Sequence, residues 1–519
     1  VTEPPPPPHR PPGPPRPHLA GVPLARVAAL VGDQPPAHDL LVTGVTHDSR
    51  SVRPGDLYAG LPGSRFHGAD FAAAAAEAGA LAVLTDPAGR ARAAGSGLPV
   101  LVTADPRSNL GAVAAQVYGD PSDGLRLIGV TGTNGKTTVG YLLESGLRAA
   151  GQRTGLIGTI ETLIDGETLP SARTTPEATD LQALFAVMRE RGVEAAAMEV
   201  SSHALALHRV DAVRFDVAVF TNLSQDHLDF HADLASYFAA KAMLFTPQYS
   251  AAAVVNLDDE HGRLLAGRAA TPTTTYSAAG DPRADWRAVD VDLGPAGSTF
   301  TLLGPDGLSL PASVRLPGAY NVANALAAIV GLVVAGTPAP AAVAGVAALA
   351  GVPGRMQRID AGQDFLAVVD YAHTPDALRT LLGALRPVTA GRLIAVAGAG
   401  GDRDRGKRAP MGERIAELAD VAVLTNDNPR SEDPMAILAA LRTGTMAVPA
   451  GARARIVVEP DRASAIAYAV GQARPGDTVV VAGKGHEQGQ EVQGVVRPFD
   501  DRHALREAIV RSRRHEAHR

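Results

Sequence analysis

One short stretch, Thr131-Gly-Thr-Asn-Gly-Lys-Thr-Thr138, gathers the residue types that hold a phosphate. Gly132 and Gly135, with Thr133 and Asn134 between them, let backbone N–H groups turn inward. Lys136 supplies a mobile cation, the Thr137 hydroxyl suits Mg²⁺, and Thr138 opens the following helix. The general phosphate-loop pattern asks for Gly where this chain has Val130, so the stretch is a variant of that pattern.

Other polar groups recur at the ends of apolar runs. Glu199-Val-Ser-Ser-His203 brings a lone carboxylate and Ser201, and Thr221 to His231 brings a His/Asp cluster around His227. Arg173-Thr-Thr-Pro176 sets the hydroxyls of Thr174 and Thr175 before a proline that can start a helix. An oxygen-rich set with one imidazole suits Mg²⁺ or Mn²⁺. Lysine is scarce: Lys136, Lys241, Lys407 and Lys484 are the only ones among 48 basic residues. Where Arg serves for charge alone, the remaining lysines point to work a guanidinium cannot do. Lys241 lies in an otherwise apolar helical segment. Burial can drive such an amine neutral, and a neutral amine can take up CO₂ as a carbamate.

These groups need a scaffold that delivers them to one edge. Leu127, Ile128 and Val130 read as a buried strand before the glycine loop, and Val139, Leu142, Leu143 and Leu147 continue at helical spacing toward Gly151. Val193 to Val200 and Phe215 to Phe220 read as strands ending at Glu199 and at the His/Asp cluster. In parallel α/β sheets ligands sit beyond the carboxyl ends of strands. A later unit repeats the plan, with strands at Leu366–Val369, Leu393–Ala397, Val421–Leu424 and Thr478–Val481. Their polar ends are the Asp370 loop, the Gly398-to-Arg408 loop, Asn426-to-Glu432 and Gly483-to-Glu487.

The expected fold class is therefore α/β in three domains. A small N-terminal domain spans 24–122, a central phosphate-loop domain with a parallel sheet spans 123–350, and a Rossmann-like domain spans 351–519. Residues 1–23, rich in proline, are expected to form a disordered tail. A net charge of −6 and a pI near 6.2 argue against nucleic acid as the partner. Zero cysteines exclude disulfides and thiolate metal sites and agree with a cytoplasmic location. Leu316 to Gly354 carries no charge, but Pro338 and Pro340 break it, so two helices about a turn are expected rather than a membrane span.

Taken together, these motifs resemble the Mur ligase family over roughly residues 24–510. Thr131 to Thr138 is similar to that family's form of the phosphate loop, which accounts for Val130. Asp427-Asn-Pro-Arg430, Gly483-Lys-Gly-His-Glu487 and Thr46-His-Asp-Ser-Arg50 resemble the branch that adds the third residue of the cell-wall stem peptide. The resemblance implies an ATP-dependent amide ligase of peptidoglycan synthesis acting on UDP-N-acetylmuramoyl-L-alanyl-D-glutamate and diaminopimelate through an acyl phosphate. It implies ATP on Gly132 to Thr138, with Lys136 on the β/γ-phosphates and Asn321, Arg355 and Asp370 also on the nucleotide. Mg²⁺ would be held by Thr137 and Glu199, and a second ion by His227 with carbamylated Lys241. Ser49, Ser64, Arg65 and Phe66 would hold the uridine-diphosphate end, and Thr174, Thr175, Ser201, Arg209 and Lys241 the muramoyl dipeptide. Arg403, Asp427, Asn428, Pro429, Arg430, Gly483 and Glu487 would receive diaminopimelate. An Arg gripping its distal carboxylate would favour it over lysine. Leu207 stands where the family often has Gln, and Ala399 replaces another small residue. A monomer without membrane insertion is expected.

Two other readings compete with this one. One is a related amide ligase, such as folylpolyglutamate synthetase or a lysine-adding member of the same family. The other is a phosphate-loop ATPase that forms no amide, which leaves the polar loops of the third domain without a use.

Overall fold

A computed structural model describes residues 15–35, 40–171, 173–227 and 230–517. The chain forms two compact units, residues 1–276 with 327–342, and residues 277–326 with 343–519.

The first unit opens with four parallel strands, β1 (Gly44–Thr46), β2 (Asp56–Gly60), β3 (Ala82–Thr85) and β4 (Val100–Val102), side by side in chain order. Ordered structure starts earlier than the proline composition suggests. Most of the expected tail lies outside the described residues, but Arg16 reaches Asp56 at 3.0 Å and the Tyr118 hydroxyl at 2.8 Å. Val22–Pro23 pairs with Leu41–Val42. The expectation of a disordered tail to residue 23 is corrected for this part, because a guanidinium on a buried carboxylate fixes the chain there.

The larger sheet of the same unit comprises β5 (Arg126–Thr131), β6 (Thr154–Ile157), β7 (Glu161–Ile164), β8 (Glu167–Pro170), β9 (Ala195–Glu199), β10 (Phe215–Phe220), β11 (Ser250–Asn256) and β12 (Thr273–Ser277). Their order is β8-β7-β6-β9-β5-β10-β11-β12, and only β7 and β8 run antiparallel to their neighbours. The parallel strands are apolar almost throughout because helices cover both faces. Helix α1 (Lys136–Ala149) follows β5, and α2 (Leu234–Ala242) carries Lys241. A reciprocal cap starts α2: Asp233 accepts from the Ser236 N–H at 2.7 Å, and the Asp233 N–H donates to the Ser236 hydroxyl. β5 is central, with β9 and β10 on either side, and at such a reversal of strand order ligands bind beyond the carboxyl ends of the strands.

In the second unit β13 (Trp286–Gly294), β14 (Gly297–Leu303) and β15 (Ser309–Val314) form an antiparallel meander. A second sheet contains β16 (Gln357–Arg358), β17 (Leu366–Asp370), β18 (Leu393–Ala397), β19 (Val421–Leu424), β20 (Arg455–Val458) and β21 (Thr478–Ala482). Its order is β16-β17-β21-β18-β19-β20, parallel except for β16. A hairpin of β22 (Gly489–Val492) and β23 (Val495–Pro498) precedes helix α3 (Asp501–Ala517). The uncharged stretch after Leu316 forms helices Ala319–Val334 and Ala339–Ala348 about a turn. Among the described residues no helix is long and apolar enough to cross a membrane.

Candidate active site

The loop after β5 is shaped by a contact that only glycine tolerates. Gly132 has φ +153°, and a Cβ there would stand 1.9 Å from the Thr221 hydroxyl, which itself donates to the Asn134 carbonyl at 2.6 Å. Gly135 caps α1 with φ 90° and no side-chain cap, so no side chain of its own takes the amides of the first turn. Uncapped N–H groups at the start of a long helix are where an anionic ligand is stabilised. Gly132→Ala should strain the loop by about 1–3 kcal/mol. Its affinity for ATP, measured by titration calorimetry, should fall with the fold retained; unchanged affinity would contradict the loop as a phosphate cradle.

Two lysines converge on this loop. Lys136 Nζ donates to the carbonyls of Gly132 and Thr133 at 2.9 Å each, and Lys241 Nζ donates to the Gly132 carbonyl at 2.8 Å. Lys241 is buried, with its amine 4.6 Å from the centre of the Tyr237 ring. Burial, and then the neighbouring Lys136 charge, hold its amine well below the ordinary lysine range, while Asp226 acts weakly the other way. The structure thus gives Lys241 the environment that the lysine count suggested.

Glu199, at the end of β9, is a buried carboxylate held by neutral donors. Its oxygens accept from the Thr137 hydroxyl at 3.0 Å, the Thr159 N–H at 2.8 Å and the Thr159 hydroxyl at 3.0 Å. A buried carboxylate with no cation among these partners fits a hard metal ion beside a phosphate. His227 has φ 54°, stands 3.5 Å from the Asp226 carboxylate, and packs against His203 with ring centres 4.7 Å apart. Leu228 and Asp229 of the His/Asp segment lie outside the described residues. Among the described residues no three His, Asp or Glu side chains form a metal cluster by themselves. Hydroxyl and phosphate oxygens would therefore complete any Mg²⁺ shell.

The hydroxyl cluster adjoins this carboxylate. Thr159 Oγ1, whose one proton goes to Glu199, is hydrogen-bonded to the Thr174 hydroxyl at 3.1 Å, and the Thr175 hydroxyl donates to the Glu199 carbonyl at 2.9 Å. The Ser201 N–H donates to the Thr175 hydroxyl, and Ser201 Oγ caps the short helix after it. Arg209 meets Glu177 at 2.9 Å, where Arg173 and Arg107 also approach, and its buried Nε has no partner among the described residues. Thr159 and Glu177 were not singled out from the sequence. A threonine after a glycine turn and a glutamate after a proline were the available signals. In the N-terminal part, Ser49 opens a 3₁₀ turn, whereas Ser64, Arg65 and Phe66 form an exposed turn.

In the second unit the loops beyond β17, β18, β19 and β21 gather at one edge. Asp370 accepts the amides of Met356 and Ala372, and the Arg355 guanidinium lies 4.5 Å over the Tyr371 ring. Burial raises the Asp370 carboxyl above the usual range. Asn321 is buried, donating to the Pro317 carbonyl and accepting from Asn324. Gly483 has φ +123°, and a Cβ there would lie 2.4 Å from an Asp427 carboxylate oxygen, so these two loops are pressed together. Asn428 donates to Glu487 at 2.9 Å. After Pro429, Arg430 has φ 54°, donates to the Gly401 carbonyl at 2.7 Å and stands 3.5 Å from Glu491. Its backbone bridges to the hairpin through bonds with Glu491 and Gln493, partners that sequence reading did not find. Arg403 is exposed on the neighbouring loop.

Comparison with known proteins agrees with this layout. Family models match as the Mur ligase family catalytic domain at residues 41–119, the Mur ligase middle domain at 130–332 and the Mur ligase glutamate ligase domain at 354–485. The chain is 61% identical to a UDP-N-acetylmuramoyl-L-alanyl-D-glutamate–2,6-diaminopimelate ligase of Streptomyces coelicolor, over 96% of this chain and 99% of the relative. It is 50% identical to the protein of that name from Corynebacterium efficiens, over 94% of each. A solved structure bearing the same name superposes with a TM-score of 0.66 at 37% identity, covering 91% of this chain and 96% of the other. A folylpolyglutamate synthase from Mycobacterium tuberculosis, at 20% identity and a TM-score of 0.58 over 73% of this chain and 92% of the other, shares the fold. The α/β architecture with its phosphate loop, its polar strand ends and these matches lead to one statement: the chain belongs to the Mur ligase family.

Proposed function

We propose that this protein joins diaminopimelate to UDP-N-acetylmuramoyl-L-alanyl-D-glutamate with cleavage of ATP, as a step of peptidoglycan precursor synthesis. The observation that carries this reading is the near-full-length likeness to ligases named for that reaction, in a chain whose Asp427-Asn-Pro-Arg430 loop stands intact. The three working parts are taken as 24–122, 123–350 and 351–519.

In this reading the γ-carboxylate of the D-Glu unit attacks the terminal phosphorus of ATP, giving an acyl phosphate and ADP. The amine of the incoming amino acid then attacks the acyl carbon; the C–N bond forms, phosphate leaves and a proton is released. The protein positions the two reactants and neutralises charge. Gly132, Thr133, Asn134, Gly135 and Thr138 cradle the phosphates, and Lys136 swings from the loop carbonyls onto the β/γ oxygens. Asn321, Arg355 and Asp370 are assigned to the nucleotide as well. Thr137 and Glu199 would hold Mg²⁺, and His227 with a carbamate on Lys241 a second ion, supplying countercharge to the transferring phosphoryl group. Ser49, Ser64, Arg65 and Phe66 take the uridine-diphosphate end, and Thr174, Thr175, Ser201 and Arg209 the dipeptide. A monomer in the cytoplasm completes the reading.

Arg430 is the selectivity element, with Arg403, Asp427, Asn428, Pro429, Gly483 and Glu487 around the amino acid. A charge-assisted contact to the distal carboxylate contributes about 1.5–3 kcal/mol, or roughly ten- to hundredfold in preference. Steady-state assays offering diaminopimelate, lysine or a dipeptide test this. Diaminopimelate should be preferred, and Arg430→Met should remove most of that preference. Turnover with lysine alone would refute the assignment.

A further inference from the structure

Lys484 is fully buried. Its ammonium donates to Asn428 Oδ1 at 2.8 Å and to Glu487 Oε2 at 3.2 Å. Asn428 Nδ2 in turn donates to the same Glu487 oxygen, and the Glu491 N–H donates to Asn428 Oδ1 at 3.1 Å. The three side chains close a triangle. With two donors on Oδ1, the carboxamide has one favourable orientation, because flipping it would set its NH₂ against an ammonium and an N–H. Glu487 is held by one oxygen while its side chain stays about one-third exposed. Among the described residues the other oxygen, Oε1, makes no hydrogen bond, which leaves an acceptor for a ligand ammonium.

The surroundings explain why the cation is a lysine. Gly483 and Gly485 flank it with φ +123° and +54°, and a Cβ at Gly485 would lie 2.8 Å from the Gly354 carbonyl. From this loop a thin lysine stem brings one compact ammonium to Asn428 and Glu487, where an arginine would present a planar fork instead. A chain that uses Arg almost everywhere else keeps lysine here.

We propose that Lys484 is a positioning residue that orients Asn428 and Glu487 and thereby sets affinity for the incoming amino acid. This rests on the ligase reading above. Because Lys484 is sealed off, it acts through its two partners and not by touching substrate.

The test is steady-state kinetics of the full-length protein with each of the three substrates varied in turn, alongside thermal melting. Lys484→Met should raise KM for diaminopimelate about tenfold or more, while KM for ATP and for the nucleotide dipeptide stays within about twofold. In an Asn428→Ala background the same substitution should cost little further, since the partner it orients is gone. Lys484→Gln keeps a donor without the charge and should fall between; it carries the test if the Met variant does not fold. An unchanged KM for diaminopimelate, a parallel change in all three KM values, or full additivity with Asn428→Ala would overturn the proposal. A wild-type protein that forms no amide with diaminopimelate would instead overturn the ligase reading.

Discussion

Lys241→Arg is expected to lower kcat by about 10²- to 10³-fold or more, and added bicarbonate should not restore it. An amine at its reference pKa near 10.4 is neutral in only about one molecule in a thousand at pH 7.4. Burial and the Lys136 charge shift Lys241 toward the neutral form, which can attack CO₂. A new N–C bond would then form with loss of a proton, and the side chain would change from a potential cation into an oxygen anion. Arg can do none of this, because its guanidinium keeps its proton. A larger cation beside Lys136 would also crowd the Gly132 carbonyl. Kinetics of the variant, together with a carbamate signal from ¹³C-bicarbonate in the wild type alone, check the expectation. Near-normal turnover by the Arg variant would rule the carbamate out.

A second large effect is expected on stability. Arg462 and Asp501 form an ion pair with both side chains fully buried, through contacts of 2.7 Å from Nε and from Nη2. The same guanidinium donates to the Ala482 carbonyl at 3.0 Å and the Asn426 carbonyl at 3.3 Å. It therefore ties α3 to the residues just before Gly483 and Asp427. Arg462→Ala leaves the Asp501 carboxylate buried without its partner, at a cost of about 3–5 kcal/mol. Removing both charges, as in Arg462→Met with Asp501→Leu, should cost far less, because no unpaired charge remains. Urea denaturation of the two variants and the parent protein gives the comparison. Equal losses for the single and the double variant would show that packing, not the stranded charge, is responsible.

Much of the scaffold was legible because strands buried on both faces are apolar runs that stop abruptly at polar turns. Phe215–Phe220, Leu393–Ala397 and Val421–Leu424 have the bounds expected from the sequence. The convergence of Lys136, Thr137 and Glu199 followed from parallel strands that end at one edge. What stayed hidden was pairing between distant residues. Lys484 and Asn428 are 56 residues apart, and neither reveals the other by spacing. The approach of Arg107, Arg173 and Arg209 to Glu177 joins segments with no shared pattern. The β22–β23 hairpin was missed because Val495 and Val496 are exposed, so its strands lack an alternating buried face. Arg16 was lost in a proline-rich stretch, where one ion pair decides order against composition.

The central claim is that ATP is used here to activate a carboxylate for an amine. It is tested most directly by labelling the D-Glu γ-carboxylate of the nucleotide dipeptide with ¹⁸O and analysing the products after incubation with ATP and diaminopimelate. One labelled oxygen should appear in inorganic phosphate for each amide formed, and the nucleotide product should gain one diaminopimelate residue. ATP hydrolysis with unlabelled phosphate and no amide would contradict the account.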